Sequence, residues 1–190
     1  MDRRELLAWM VATSGLAALE RLSPADLLTI GRDAHRVESA PAAHERTLDA
    51  HATAVVTLAA EHIIPASDTP GATDAGVAAF IEHMLGAWYT PDDRDRFLAG
   101  IAELDARSRA RGGASFALLD AATQQSLLAS IDGDVAARRT ARDASANAHW
   151  FAMLKFLTVW GYCTSERAMR ETLHTWPMPM RYDGSAKVGA

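Results

Sequence analysis

Glutamate and histidine are the residue types through which this sequence could bind a metal ion. It has seven histidines, and two of them directly follow a glutamate, in Glu61-His62 and Glu82-His83. A helical di-iron site instead needs Glu-x-x-His motifs on facing helices, because residues three apart share a helix face and adjacent residues do not. Only Glu171 and His174 have that spacing, and the sequence contains no second Glu-x-x-His motif to pair with them. We therefore expect no metal ligands. A stand-alone helical metal-binding enzyme remains an alternative, which one equivalent of bound iron or manganese would support.

Nucleophilic and cofactor chemistry has little support in the sequence. Cys163 is the single cysteine, so an internal disulfide, a CxxCH haem attachment and a four-cysteine cluster are excluded. A reactive thiol would need a basic neighbourhood, for which Arg167 is the nearest candidate, whereas a free cysteine usually behaves as a small buried apolar residue. Neither a glycine-rich phosphate loop nor a G-x-S-x-G motif occurs. We expect no catalytic, cofactor-binding or metal-binding residue in this chain.

The element that must organise the fold lies in the C-terminal half, within His149–Met169. From Trp150 to Trp160 large apolar residues cover nearly every side of a helix. Such a helix is buried, and about eleven residues are too few for a membrane span, which needs ~20. Gly161 is expected to end the helix, and Thr164 or Ser165 to cap the next one.

Periodic apolar residues and start and stop signals predict further helices. Their expected positions are Ser23 to about Arg36, Glu45–Ile64, a helix capped by Thr73, Thr90 to Gly112-Gly113, and Asp120 to Gly133. No stretch has the alternation of a β-strand. The prediction is an all-α fold, a single helical domain of six or seven helices around the buried C-terminal-half helix, with an extended C-terminal tail.

The N-terminus has the anatomy of an export signal. Arg3 and Arg4 precede a run without charged residues from Leu6 to Leu19, which matches a twin-arginine signal in outline. Asp2 and Leu6 depart from the usual pattern. We divide the chain into a signal or anchor segment (1–22), a short helix and linker (23–44), and the helical domain with its tail (45–190). The formal charge of −5 argues against general nucleic-acid binding.

Three motifs resemble the gluconate 2-dehydrogenase subunit 3 family. Residues 62–71, HIIPASDTPG, with the following Asp74–Val77 and Phe80-Ile81, resemble the family run "IPATDTPGA…AGVP.FI". Leu154–Glu166 is similar to "LK.LT..GYYTSE", and Tyr182–Gly184 to the terminal "YDG". The resemblance spans about residues 48–184, with Cys163 in place of the usual tyrosine.

The resemblance implies a non-catalytic small subunit of a periplasmic dehydrogenase. Its partner would be a large FAD-dependent subunit of the glucose–methanol–choline (GMC) type that oxidises a sugar, sugar acid or polyol. A cytochrome c subunit often takes the electrons in such complexes. The small subunit commonly carries the twin-arginine signal and exports the folded flavoprotein with itself, and an uncleaved leader would associate it with the membrane.

The predicted contacts with that partner lie in a turn, a helix end and the tail. The candidate interface residues are Asp68, Thr69, Pro70, Gly71, Tyr162, Trp176, Met178, Met180 and Tyr182. The turn and the segment 161–166 could equally have only structural roles, since such residues commonly cap and break helices. A helical interaction domain for an unrelated partner is a further alternative, which a neighbouring flavoprotein gene would argue against.

Overall fold

The structure, a computed structural model, describes residues 23–38, 46–146 and 148–175 and contains seven α-helices there. Two short 3-10 helices, at Phe116–Leu118 and Ala144–Ala146, flank the fifth of these helices. The α-helices are α1 (Pro24–Glu38), α2 (Ala50–Ile63), α3 (Val77–Ala87), α4 (Pro91–Gly112), α5 (Ala121–Thr140), α6 (Trp150–Thr164) and α7 (Glu166–Glu171). No strand occurs in these ranges, so the all-α prediction is confirmed for the part of the chain that the structure describes.

Helix α6 lies at the centre of the fold. All its residues are buried except Lys155, which reaches outward and places its Nζ 2.9 Å from the Asp132 carboxylate. The helix contacts each of the other six helices. Its apolar circumference therefore has a partner on every side, which confirms that the chain is organised around it.

Helix α6 continues past Gly161 to Thr164, so the prediction that this glycine ends the helix is wrong. Gly161 is buried within the helix, and a Cβ built there would lie 2.6 Å from Cδ1 of Phe80. The glycine is needed because α3 approaches α6 closely, and not because the backbone turns. Of the two predicted caps, Thr164 and Ser165, it is Ser165 that caps α7: its Oγ accepts a hydrogen bond from the Ala168 amide at 3.1 Å.

Three other predicted helix ends differ from the structure. Helix α2 begins at Ala50 rather than Glu45, because Asp49 caps it by accepting from the Ala52 amide. Helix α3 begins at Val77 and not after Thr73, since Gly76 adopts a left-handed conformation (φ 70°) between them. Helix α5 runs through Gly133 to Thr140. One glycine on an open helix face lowers helix stability by only ~1 kcal/mol and does not end the helix.

Helix α1 lies in the predicted short helix and linker (23–44) and contributes to the same core as the other helices. Leu27 and Ala34 are buried in it, and Trp160 Nε1 donates a 2.9 Å hydrogen bond to the Leu27 carbonyl. His35 Nε2 lies 2.8 Å from the Gly161 carbonyl. Among the described helices, none is both long and apolar enough to cross a membrane.

Candidate partner-binding site

The turn that carries the first motif is tied down by a glutamate. The Glu61 carboxylate accepts hydrogen bonds from the amides of Ala66 and Thr73, each at 2.9 Å. Burial raises the pKa of Glu61, but these bonds and nearby His62 outweigh it and lower that pKa below its usual value. A Cβ on Gly71 would collide with the carboxylate and would lie 2.6 Å from the Ala66 nitrogen. A glycine is therefore required at position 71.

A tyrosine hydroxyl joins this turn to the second motif. Tyr162 lies on buried α6, and its hydroxyl donates to the Pro70 carbonyl at 2.7 Å and lies 2.9 Å from Thr172 Oγ1. Next to this contact, Arg167 Nη1 is 3.6 Å from the Asp74 carboxylate. The two motifs, more than 80 residues apart in sequence, thus meet at one place, which we call the motif junction (residues 64–76 and 161–172).

The predicted interface residues differ in their accessibility. Asp68 is exposed and Thr69 half-buried, whereas Pro70, Gly71 and Tyr162 are buried inside the chain. The four tail residues, Trp176, Met178, Met180 and Tyr182, lie outside the described residues. The structure therefore shows an internal role for the buried three, and the proposed contact with a partner stays a prediction.

A second polar cluster was not expected from the sequence. Asp105 of α4, only 4% exposed, accepts a hydrogen bond from the Phe116 amide at 2.9 Å and is also bound by His51. On the other side, Gln124 Nε2 donates to the Phe116 carbonyl at 2.9 Å, and its Oε1 lies 2.8 Å from His62 Nε2. Side chains from α4 and α5, each held by a histidine of α2, thus fix both polar groups of the Phe116 backbone.

The fixed segment displays an apolar side chain. We call residues 115–119, which contain the first 3-10 helix, the Leu118 turn. Phe116 points inward and is fully buried, while Leu118 is 78% exposed. The turn borders an open groove of about 480 Å³ that also involves Arg111 and Asp120. Trp88, at the end of α3, is the other large apolar side chain found exposed among the described residues.

The residues considered for catalysis or metal binding are dispersed in the structure. The described residues contain no group of three or more His, Cys, Asp or Glu placed to hold a metal ion. Helix α7 ends at Glu171, so His174 does not share its helix. Cys163 is buried, and this burial raises its pKa to about 11, which keeps it as the neutral thiol.

Comparison with protein families supports the assignment that the motifs suggest. Residues 50–180 match the family described as gluconate 2-dehydrogenase subunit 3. The chain belongs to this family. The match includes the whole motif junction and all helices from α2 to α7. Gluconate 2-dehydrogenase subunit 3 proteins are, by that description, subunits of a dehydrogenase, which implies a partner for this chain. Neither the curated proteins nor the solved structures gave a match.

Proposed function

We propose that this chain is the non-catalytic small subunit of a periplasmic FAD-dependent dehydrogenase of the GMC type. Its role is export, stabilisation or positioning of the catalytic flavoprotein, which oxidises a sugar, sugar acid or polyol. The observation that carries this proposal is the match of residues 50–180 to a family of dehydrogenase subunits. FAD belongs to the partner subunit, and a cytochrome c subunit is a further partner in this proposal.

The use of polar side chains in the described fold supports an accessory role. Glu61 binds two backbone amides, and Glu82 does the same for Thr47 and Leu48 at 2.6 and 2.9 Å. The glutamates of both Glu-His pairs therefore hold loops in place. Each of these carboxylates is therefore directed at the backbone of its own chain, where it has a structural role.

The N-terminal residues support the export part of the proposal. Arg3-Arg4 and the uncharged run to Leu19 have the order of a twin-arginine signal, although they lie outside the described residues. Export through that route carries folded proteins, so one signal can serve a complex of two chains. Replacing both arginines by lysine would keep the positive charge but remove the arginine pair that a twin-arginine receptor recognises.

A deletion experiment in the organism that encodes this chain tests the proposal. Without the chain, dye reduction driven by a panel of sugars, sugar acids and polyols should be lost for one substrate class. Flavoprotein should also disappear from the periplasmic fraction. The intact gene should restore both, and the Arg3→Lys, Arg4→Lys double variant should restore neither. Unchanged activity and unchanged flavoprotein location in the deletion strain would refute the proposed role.

A further inference from the structure

The central helix α6 is capped by a side chain that gains a proton close to neutral pH. Helices α2, α4, α5 and α7 begin with a side-chain oxygen that accepts a backbone amide, from Asp49, Thr90, Asp120 and Ser165 respectively. At the start of α6, the Phe151 amide instead donates at 3.2 Å to Nδ1 of His149. Hydroxyl groups do not titrate in the physiological range, and an aspartate gains its proton only near pH 4, whereas a histidine titrates near pH 6.5. Among these five helices, only α6 therefore has a cap that changes charge near neutral pH.

The hydrogen bond to Phe151 needs the neutral form of the His149 ring. Nδ1 accepts a proton from the amide, so it cannot carry one itself, and a doubly protonated ring only donates. His35, His51 and His62 instead each place Nε2 against an oxygen atom. A protonated ring still donates to oxygen, so those three contacts survive protonation. The contact of His149 is lost.

Burial and positive charge oppose protonation of His149. The side chain is half-buried, and this burial is the main cause that lowers its pKa below the usual value. Arg138 of α5 and Arg107 of α4 lower that pKa further, whereas Glu103 and Asp134 raise it. Both carboxylates also face Arg107, Glu103 at 2.6 Å and Asp134 at 3.5 Å, so their attraction for a charged ring is partly offset. A positive ring would in addition meet the positive end of the α6 dipole.

The first turn of α6 offers no replacement for this cap. It contains no acidic residue that could accept the freed amide. Phe151 is only 2% exposed, and an amide left without an acceptor in a buried position is costly. The turn also packs tightly on α4, because a Cβ on Gly100 would collide with the Trp150 ring. Since α6 contacts all six other helices, disturbing its start affects the whole core.

We propose that His149 is a pH-sensitive cap, which holds the start of the central helix when neutral and releases it when protonated. This device belongs to the chain itself and does not depend on which partner the chain has.

The direction of the effect follows from the two protonation equilibria. The pKa of His149 is lower in the folded chain than the value of 6.5 expected when unfolded. The stability that the cap contributes is therefore fully present above about pH 6.5 and is lost as the pH falls through the folded value. Between the two values, unfolding takes up one proton, which lowers the folding equilibrium constant by up to about tenfold per pH unit.

Nuclear magnetic resonance of the isotope-labelled full chain tests the cap directly. Between pH 8 and pH 5, the His149 ring should titrate with a pKa below 6.5. The Phe151 amide resonance should shift with the same midpoint, because that amide loses its acceptor when the ring gains a proton. A His149 ring that titrates at or above 6.5 would overturn the proposal. So would a Phe151 amide that does not follow the ring.

Urea denaturation followed by circular dichroism at pH 8 and pH 5.5 tests the consequence for stability. His149→Asn keeps a good capping acceptor but does not titrate. From pH 8 to pH 5.5, the folding equilibrium constant of the wild type should fall about three- to tenfold more than that of this variant. If His149→Asn does not fold, His149→Ser provides a second non-titrating cap.

A matched control separates the cap from the general loss of one imidazole. His174 is exposed and has a φ of 46°, which asparagine tolerates, so His174→Asn removes a histidine far from α6's first turn in sequence. This control should keep the pH dependence of the wild type. Equal pH dependence in the wild type and His149→Asn would overturn the proposal, as would a His174→Asn protein that loses that dependence to the same extent.

Discussion

Two glycine-to-alanine substitutions in helices should have opposite effects on stability. At Gly133 of α5, an added Cβ meets nothing within 4 Å, so only the backbone preference for a helix changes. Alanine is favoured over glycine inside a helix by ~0.8–1.0 kcal/mol. We therefore expect Gly133→Ala to raise the free energy of unfolding by about 1 kcal/mol.

The same change at Gly161 introduces a steric conflict. The new Cβ would lie 2.6 and 3.0 Å from two atoms of the Phe80 ring. That ring cannot easily move, because it is fully buried, stacks on His35 at 4.9 Å and meets Trp160 edge-on at 5.5 Å. Overpacking typically costs 1–3 kcal/mol, and a ring held on two sides favours the upper part of that range. Alanine's higher helix propensity offsets ~1 kcal/mol of this cost, so Gly161→Ala should lower the free energy of unfolding by about 1–2 kcal/mol.

Urea denaturation followed by circular dichroism at 222 nm measures both variants under one set of conditions. The expected difference between them is about 2–3 kcal/mol, or roughly 4–12 °C in melting temperature for a chain of this size. A Gly161→Ala protein as stable as Gly133→Ala would refute the close approach of α3 to α6. A loss of stability in both would instead refute the account of α5 as an open helix face.

Three further predictions concern single side chains. Tyr162→Phe should lower the free energy of unfolding by about 1–3 kcal/mol, because the buried Pro70 carbonyl loses its hydrogen-bond donor. Tyr89→Phe is the matched control and should change that free energy little, because the buried Tyr89 hydroxyl has no partner among the described residues. Asp105→Asn should cost about 1.5–3 kcal/mol near neutral pH, and urea titrations should show this cost shrinking below about pH 4. Cys163 should resist iodoacetamide at pH 7.5 in the native chain and react fully in 6 M guanidinium, as mass spectrometry would record.

The pH dependence at Asp105 follows from the direction of its pKa shift. Burial raises the pKa of this carboxyl, but the Phe116 amide, His51 and Arg109 together lower it below its ordinary value. Its contribution to stability is therefore fully present above the unfolded pKa of about 3.9 and is lost as the pH falls through the lower folded value. An Asp105→Asn cost that stays constant down to pH 2 would contradict this assignment.

Specific experimental results would also contradict the predictions for Tyr162 and Cys163. Equal losses for Tyr162→Phe and Tyr89→Phe would mean that the Tyr162–Pro70 bond contributes nothing specific to stability. Rapid alkylation of Cys163 in the native protein would contradict its burial in α6. A retained circular dichroism spectrum is the control in both cases.

Local sequence signals predict the helices of this fold well. The stretch from Trp150 to Trp160, in which Lys155 and Thr158 are the only polar residues, predicts the central helix, because only burial on nearly all sides suits such a composition. Thr90, Asp120 and Ser165 cap helices at predicted positions, since each cap needs only its own side chain and the backbone amide three residues later.

The errors arise where tertiary contacts decide the role of a residue. Glycine is a frequent helix terminator, so the local sequence predicts that Gly161 and Gly133 both end helices. One instead makes room for Phe80, and the other is simply tolerated in α5. No local pattern distinguishes these roles.

The polar cluster behind the Leu118 turn could not be found from the sequence for a related reason. Asp105 binds His51 across 54 residues, and Gln124 binds His62 across 62. Nothing in the local sequence marks these pairs, and Asp105 reads as an ordinary exposed helix residue. The exposure of Leu118 beside buried Phe116 likewise depends on how the turn is fixed.

The family match makes this chain a dehydrogenase subunit, and the central proposal is that the dehydrogenase is flavin-dependent. The test is affinity purification of the full chain, expressed in its own genomic context. The material that co-purifies is then characterised by an absorbance spectrum and by mass analysis. We predict a co-purifying larger chain with the bands of oxidised flavin, bleached by addition of its sugar, sugar-acid or polyol substrate. A colourless chain that purifies alone, with no flavin-containing protein bound to it, would contradict this proposal.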